Sequence, residues 1–254
     1  MEPLSMEKIN QWQKEYTKDK TQTIMRHALF HNPLELCVSV QENMTKNQNH
    51  FSVEIKTLKA ANQQTSGRCW IFAGCNLLRE EIAKRLHLDH FELSENYLAF
   101  YDKLEKIYNF CELAVEMKDR DAKDRTFEWL VKTGIQDGGQ WDMFVHLVET
   151  YGIVPKDTMP ETYQSSNTAT MNLLINTRLR RFAQEVRNLS LIGREDEITS
   201  LKESVMKELY GLLCTCFGIP PKQFSFAYAD RDGDVHHMQE TTPQEFYQQQ
   251  ITMN

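Results

Sequence analysis

The sequence predicts a helix-rich α+β chain, and three observations carry that prediction. Apolar residues recur at helical spacing over four long stretches: Cys69 to Leu86, Ser94 to Phe110, Thr170–Leu191 and Glu195–Phe217. Strand patterns are few: alternation over His50–Lys59, and a hairpin pattern near the C-terminal end. The 254 residues are 41% hydrophobic and 26% charged, enough for one large domain or two small ones. That composition excludes a disordered tail, a collagen-like repeat and a small disulfide scaffold.

In chain order, Met6–Lys18 reads as a helix. Leu34–Glu42 alternates loosely and fits helix or strand equally. Phe51, Val53 and Ile55 alternate with polar neighbours and predict a strand over His50–Lys59. A polar turn punctuated by Gly67 follows. From Cys69 the expected apolar face holds Trp70, Ile71, Ala73, Cys75, Leu77, Leu78, Ile82 and Leu86, with Arg79, Glu80, Glu81 and Lys84 outward. Ser94 is the expected N-cap of the next helix. Lys118–Arg125 is a charged linker or helix start, Thr126–Lys132 a short amphipathic helix, and Asp137-Gly138-Gly139 a loop. Trp141–Tyr151 is a helix ended by Gly152. Gly193 separates the last two long helices, and Gly218-Ile219-Pro220-Pro221 stops the second. Phe224–Asp230 and Val235–Glu240 flank Arg231-Asp232-Gly233-Asp234 as a hairpin, and Pro243 opens a final helical piece.

The charge balance, 29 basic against 36 acidic residues, gives a net −7, which argues against a general nucleic-acid binder. The longest apolar run, Leu209–Ile219, is too short to span a bilayer, so no membrane partner is expected. The first residues lack a basic stretch followed by an apolar one, so no secretory leader is expected. The six cysteines are irregularly spaced with no C-x-x-C pair, which predicts reduced thiols in a cytoplasmic protein and no zinc site. Asp230–Asp234 lacks the distal glutamate of a calcium loop. No cofactor or metal is expected.

The chemically informative run is Gln63-Gln64-Thr65-Ser66-Gly67-Arg68-Cys69-Trp70. A nucleophilic cysteine must be a thiolate, and a helix N-terminus favours negative charge through its unpaired N–H groups and macrodipole. Cys69 is the first residue of a predicted helix. A tetrahedral intermediate also needs oxyanion donors; the Cys69 N–H supplies one, and Gln63, six residues earlier across a glycine-bearing turn, another. A lone cysteine before a helix is more often a small core residue, and that is the reading for Cys75. The surrounding Gln63, Gly67 and Trp70 favour the nucleophile for Cys69. Cys214 and Cys216 read as buried and inert, and the scattered histidines as structural or surface residues.

This run resembles the active-site segment of papain-like cysteine peptidases, and with Arg68 before Cys69 it looks like the bleomycin hydrolase and bacterial aminopeptidase C branch. The stretches Ser94–Lys103, Asp137–Met143, Tyr151–Lys156, Met159–Tyr163 and Thr242–Tyr247 agree, so the resemblance covers essentially the whole chain. It implies a papain-like fold with the helix-rich left lobe present and the β-rich right lobe largely missing. The expected divisions are an N-terminal extension over 1–60, a catalytic left lobe over 61–165, and a helical insertion with the start of the right lobe over 166–254. It also implies a cysteine-type aminopeptidase acting on peptide substrates through an acyl-enzyme, with Cys69 as nucleophile and Gln63 as oxyanion donor. Members of the family assemble as homohexamers around an internal chamber.

The chain departs from the family at the catalytic base. Papain-like enzymes place histidine and asparagine about 130–150 residues after the cysteine, and residues 199–219 hold no histidine. His236 and His237 come 167 and 168 residues after Cys69, in a polar hairpin; Asn254 follows His237 by 17 residues at the chain end, a poor place to hold a side chain. This pair is not expected to be catalytic. Two alternatives stay open: an inactive fragment lacking the histidine and asparagine, or a thiol-based binding or redox module.

Overall fold

A computed structural model describes residues 4–38, 43, 46 and 51–252. The chain divides into two compact units, Met1–Ile55 and Lys56–Asn254. The first holds α1 (Met6–Lys18), α2 (Lys20–His31) and α3 (Leu34–Cys37). Ser5 caps α1 and Asp19 caps α2 through side-chain acceptors. The expected α1 thus falls on its sequence bounds. Residues 39–42 of the ambiguous Leu34–Glu42 stretch, together with His50 and Asn254, lie outside the described residues.

The second unit is built around α5 (Glu95–Glu116), capped by the Ser94 hydroxyl, which accepts from the Tyr97 N–H. Helices α4 (Cys69–Arg85), α6 (Arg125–Thr133), α7 (Trp141–Tyr151), α9 (Ala169–Leu191) and α10 (Ile198–Phe217) pack against it. A short α8 (Tyr163–Ser166) precedes α9. Aromatic and branched residues fill the centre: Phe100, Ile107 and Phe110 of α5, Ile71 of α4, Phe182 of α9 and Phe217 of α10 are buried. Each buried side chain of this size contributes about 1.5–3 kcal/mol through lost apolar exposure.

The chain then forms an antiparallel hairpin, β1 (Phe224–Ala229) and β2 (Val235–Thr241), pairing Phe226 with Met238 and Tyr228 with His236. Its turn closes as expected: the Asp230 carboxylate accepts from the N–H groups of Asp232 and Asp234, and Gly233 takes φ +88°. An isolated two-stranded ribbon is marginal in water. Phe226 and Phe224 therefore pack edge-on to Phe246 of α11 (Pro243–Tyr247), which carries a capping box between Thr242 and Glu245.

Two sequence expectations are corrected. No strand forms over 51–59, where Phe51, Val53 and Ile55 stand exposed. Alternation alone does not make a strand; the backbone needs a partner, and none of the described residues supplies one. On α4 the predicted face is displaced: Leu77 is exposed while Arg79 is buried. The Arg79 guanidinium donates to the Lys59 carbonyl at 2.5 Å and faces Glu92, so an extended segment over 58–59 takes the place of an apolar neighbour.

Candidate active site

Cys69 opens α4, and its side chain is exposed. The Arg68 carbonyl accepts from the N–H groups of Ile71 and Phe72, so the helix starts sharply at Cys69. The Cys69 and Trp70 N–H groups belong to the first turn and have no acceptor among the described residues. Cys75 and Cys111, also on helices, are buried. Burial pushes Cys75 and Cys111 up, the latter to about 12, which keeps both protonated and inert.

The loop before Cys69 is tightly specified. Gln64 sits in the left-handed region at φ 54°, supported by its N–H donating to the Asn62 side chain at 2.9 Å. The Thr65 N–H donates to the Ser166 carbonyl at 3.0 Å. The Gln63 carbonyl accepts from Ser66 Oγ at 2.7 Å, and Ser66 Oγ accepts from Arg68 Nε at 3.0 Å. Arg68 itself is buried, and its guanidinium makes a two-pronged pair with Glu161 at 3.1 and 2.7 Å. Gln63 Oε1 is buried without a partner, and Nε2 donates to no described residue.

Across the loop stands the Asp137-Gly138-Gly139 turn. The Asp137 carboxylate accepts from the Gly67 N–H at 3.0 Å, from Lys103 at 2.6 Å, from Thr168 at 2.5 Å and from Asn172 at 2.8 Å. Its carbonyl accepts from the Trp70 indole at 2.7 Å. Burial alone raises a carboxyl's pKa; here Lys103 and the hydroxyl and amide donors outweigh it and hold Asp137 well below the usual carboxylate range. Lys106 bridges the Asp102 carboxylate to the Gln136 and Gly138 carbonyls and lies over the Trp70 ring. A Cβ on Gly139 would collide with that indole, so glycine is what lets the turn touch Trp70.

The structure separates His236 from Cys69. His236 Nε2 bonds Asp230 at 2.7 Å, and the hairpin turn is pinned by Arg231 to the His87 and Leu88 carbonyls. Those residues follow the C-terminal end of α4, and Cys69 begins it; 17 helical residues span about 25 Å. Among the described residues no histidine nitrogen is hydrogen-bonded to the Cys69 thiol.

Comparison with known proteins shows the family. The family model described as Peptidase C1-like family matches residues 3–254. The chain belongs to that family. It is 37% identical to Aminopeptidase C of Listeria monocytogenes over 251 residues, covering 99% of this chain and 56% of that protein. It is 36% identical to human bleomycin hydrolase, covering 87% of this chain and 50% of that protein. The crystal structure of PepW from Lactobacillus rhamnosis superposes with TM-score 0.94 at 34% identity, over 99% of this chain and 57% of that one. The chain therefore spans about half the length of the relatives it matches, and its fold is that of the Peptidase C1-like family: helix-rich, with one small sheet among the described residues. Among those residues no helix is long and apolar enough to cross a membrane.

Sequence reading gave no sign that Glu95, in the first turn of α5, is buried. Its Oε2 has no partner, and burial pushes its pKa up from 4.5 to about 7 against the pull of its own backbone N–H and of Lys156. A carboxyl with a raised folded pKa keeps its proton while the unfolded chain loses it, so stability falls as pH rises from about 4.5 to 7. The loss amounts to about 3 kcal/mol at one pH unit per 1.36 kcal/mol. Glu95→Gln should therefore gain on the parent between pH 5 and pH 8. Urea unfolding at the two values checks this, and a constant difference would refute it.

Proposed function

We propose that these residues are the N-terminal, nucleophile-bearing part of a cysteine-type aminopeptidase. The observation that carries the reading is an exposed thiol on the first residue of a long helix, with the loop before it pinned from both sides. In this reading the Cys69 thiolate attacks the carbonyl carbon of a substrate's N-terminal residue. The Cys69 N–H and Gln63 Nε2 stabilise the oxyanion. The C–N bond then breaks, the amine leaves with a proton from an imidazolium, and water hydrolyses the thioester.

The imidazole and its asparagine partner are assigned, by family resemblance, to chain beyond these 254 residues. The divisions 1–60, 61–165 and 166–254 follow as extension, catalytic lobe, and insertion leading into the second lobe. Free thiols at all six cysteines support a cytoplasmic setting. Peptides are the proposed substrates and a homo-oligomer, a hexamer by resemblance, the proposed assembly; no cofactor, membrane or nucleic-acid partner enters the reading.

The test is hydrolysis of aminoacyl-arylamides by the complete in-frame polypeptide carrying these residues. Cys69→Ala should cut turnover by about 10³-fold or more, and N-acetylated analogues should be refused. Turnover that survives Cys69→Ala would sink the proposal. A peroxide-reversible Cys69 with no hydrolysis in that polypeptide would favour the redox alternative.

A further inference from the structure

From the geometry we infer that Asp137 is a positioning residue for Cys69, fixing the backbone before it and the neighbouring side chain after it so that its N–H and sulfur face one point. The inference rests on the reading of Cys69 as the nucleophile. Two residues before Cys69, the Gly67 N–H is bound by the Asp137 carboxylate; one residue after it, the Trp70 indole is bound by the Asp137 carbonyl. One residue thus holds both flanks, across a sequence separation of about 70 residues. The Gly67 N–H is consumed, while the backbone N–H groups of Arg68, Cys69 and Trp70 have no acceptor among the described residues, so the Cys69 N–H is left open for an oxyanion.

The surroundings show what the carboxylate is for. Oδ2 accepts from Gly67 and Thr168, while Oδ1 accepts from Lys103 and Asn172. Lys103 is buried and cancels the negative charge that would otherwise sit two residues from a developing thiolate. The clamp is therefore neutral as a unit, and its working part is the acceptor at the Oδ2 position. Asn172 Oδ1 is buried without a partner. An amide at 137 would keep the Gly67 acceptor and present its NH2 to a flipped Asn172, provided the facing ammonium is removed with it.

That design supplies the test, run on the same in-frame polypeptide. Cys69 is labelled with an aminoacyl chloromethyl ketone, which needs the oxyanion geometry, and separately with iodoacetamide, which needs only a reactive thiol. In both, a C–S bond forms and halide leaves. The ratio of the two rates reads positioning apart from thiol reactivity. Asp137→Ala should lower the ratio by about ten- to a hundred-fold, the scale of a misplaced reacting group. Asp137→Asn combined with Lys103→Met should recover it to within about three-fold of the parent, since the acceptor at Gly67 is kept. Thr168→Val removes a single bond to Oδ2 and should cost about three-fold; it keeps the inference testable where Asp137→Ala does not fold.

An unchanged ratio in folded Asp137→Ala would overturn the inference. So would a folded double variant as impaired as Asp137→Ala. If the parent shows no preference for the chloromethyl ketone, the nucleophile reading itself fails, a different result from either.

Discussion

Arg68→Ala loses about 3–5 kcal/mol of unfolding free energy, the range for breaking a buried ion pair by removing one partner. The guanidinium is about 1% exposed and Glu161 about 20%, so the attraction is poorly screened and the stranded carboxylate stays largely desolvated. Losses beyond the pair add to the cost. Arg68 Nε fixes Ser66, which in turn fixes the Gln63 carbonyl, and the guanidinium lies over the Phe72 ring. Glu161 also accepts from Ser165 at 2.6 Å, which anchors α8. Urea unfolding of parent and variant gives the difference directly. The charge contribution separates from packing in the double variant Arg68→Met/Glu161→Leu, which should recover most of the loss because no charge is left buried. A single variant within about 1 kcal/mol of the parent would mean that Glu161 reaches water once its partner is gone.

The Arg68–Glu161 pair also shows what sequence alone can and cannot reveal. Several helix starts and stops were legible because their causes are local: Ser94 caps α5, Gly152 ends α7, and Asp230 with Gly233 closes the hairpin; the end of α5 was not, since the helix runs to Glu116, past the expected stop at Phe110. Cys69 at a helix start was legible for the same reason. The partners of that site were not, because Glu161 and Asp137 meet the loop across 93 and 70 residues, and no periodicity encodes so distant an acceptor. Arg79 was read as outward because charge is normally solvated; its burial depends on carbonyls at 58 and 59, twenty residues upstream. The strand expected there failed for the converse reason, a local pattern without a distant partner.

The stretches that carried the family resemblance turn out to be those that bind one another. Asp137–Met143 holds the cysteine loop through Asp137 and Met159–Tyr163 through Glu161, while Ser94–Lys103 supports Asp137 through Lys103. The remaining two, Tyr151–Lys156 and Thr242–Tyr247, meet at Gly152. There the Ile153 N–H donates to the Pro243 carbonyl at 3.2 Å, and Tyr97 reaches the Tyr151 carbonyl at 2.7 Å. Gly152 adopts φ 76°, ψ −163°, a region essentially closed to residues with a Cβ. A Cβ there would also run into the carbonyl group of Pro243 and the nitrogen of Gln244, backbone that cannot rotate aside. Strain of about 1–3 kcal/mol for the conformation adds to about 1–3 kcal/mol for overpacking. Gly152→Ala is therefore expected to lose about 2–6 kcal/mol and to loosen α11 from the end of α7. Urea unfolding measures the loss, and hydrogen exchange at the Ile153 and Phe246 amides locates it. Undiminished protection of both amides in a destabilised variant would show that the strain is relieved elsewhere. Because Phe246 supports Phe224 and Phe226, the hairpin's tertiary packing depends on a glycine more than seventy residues before it, at the end of another helix.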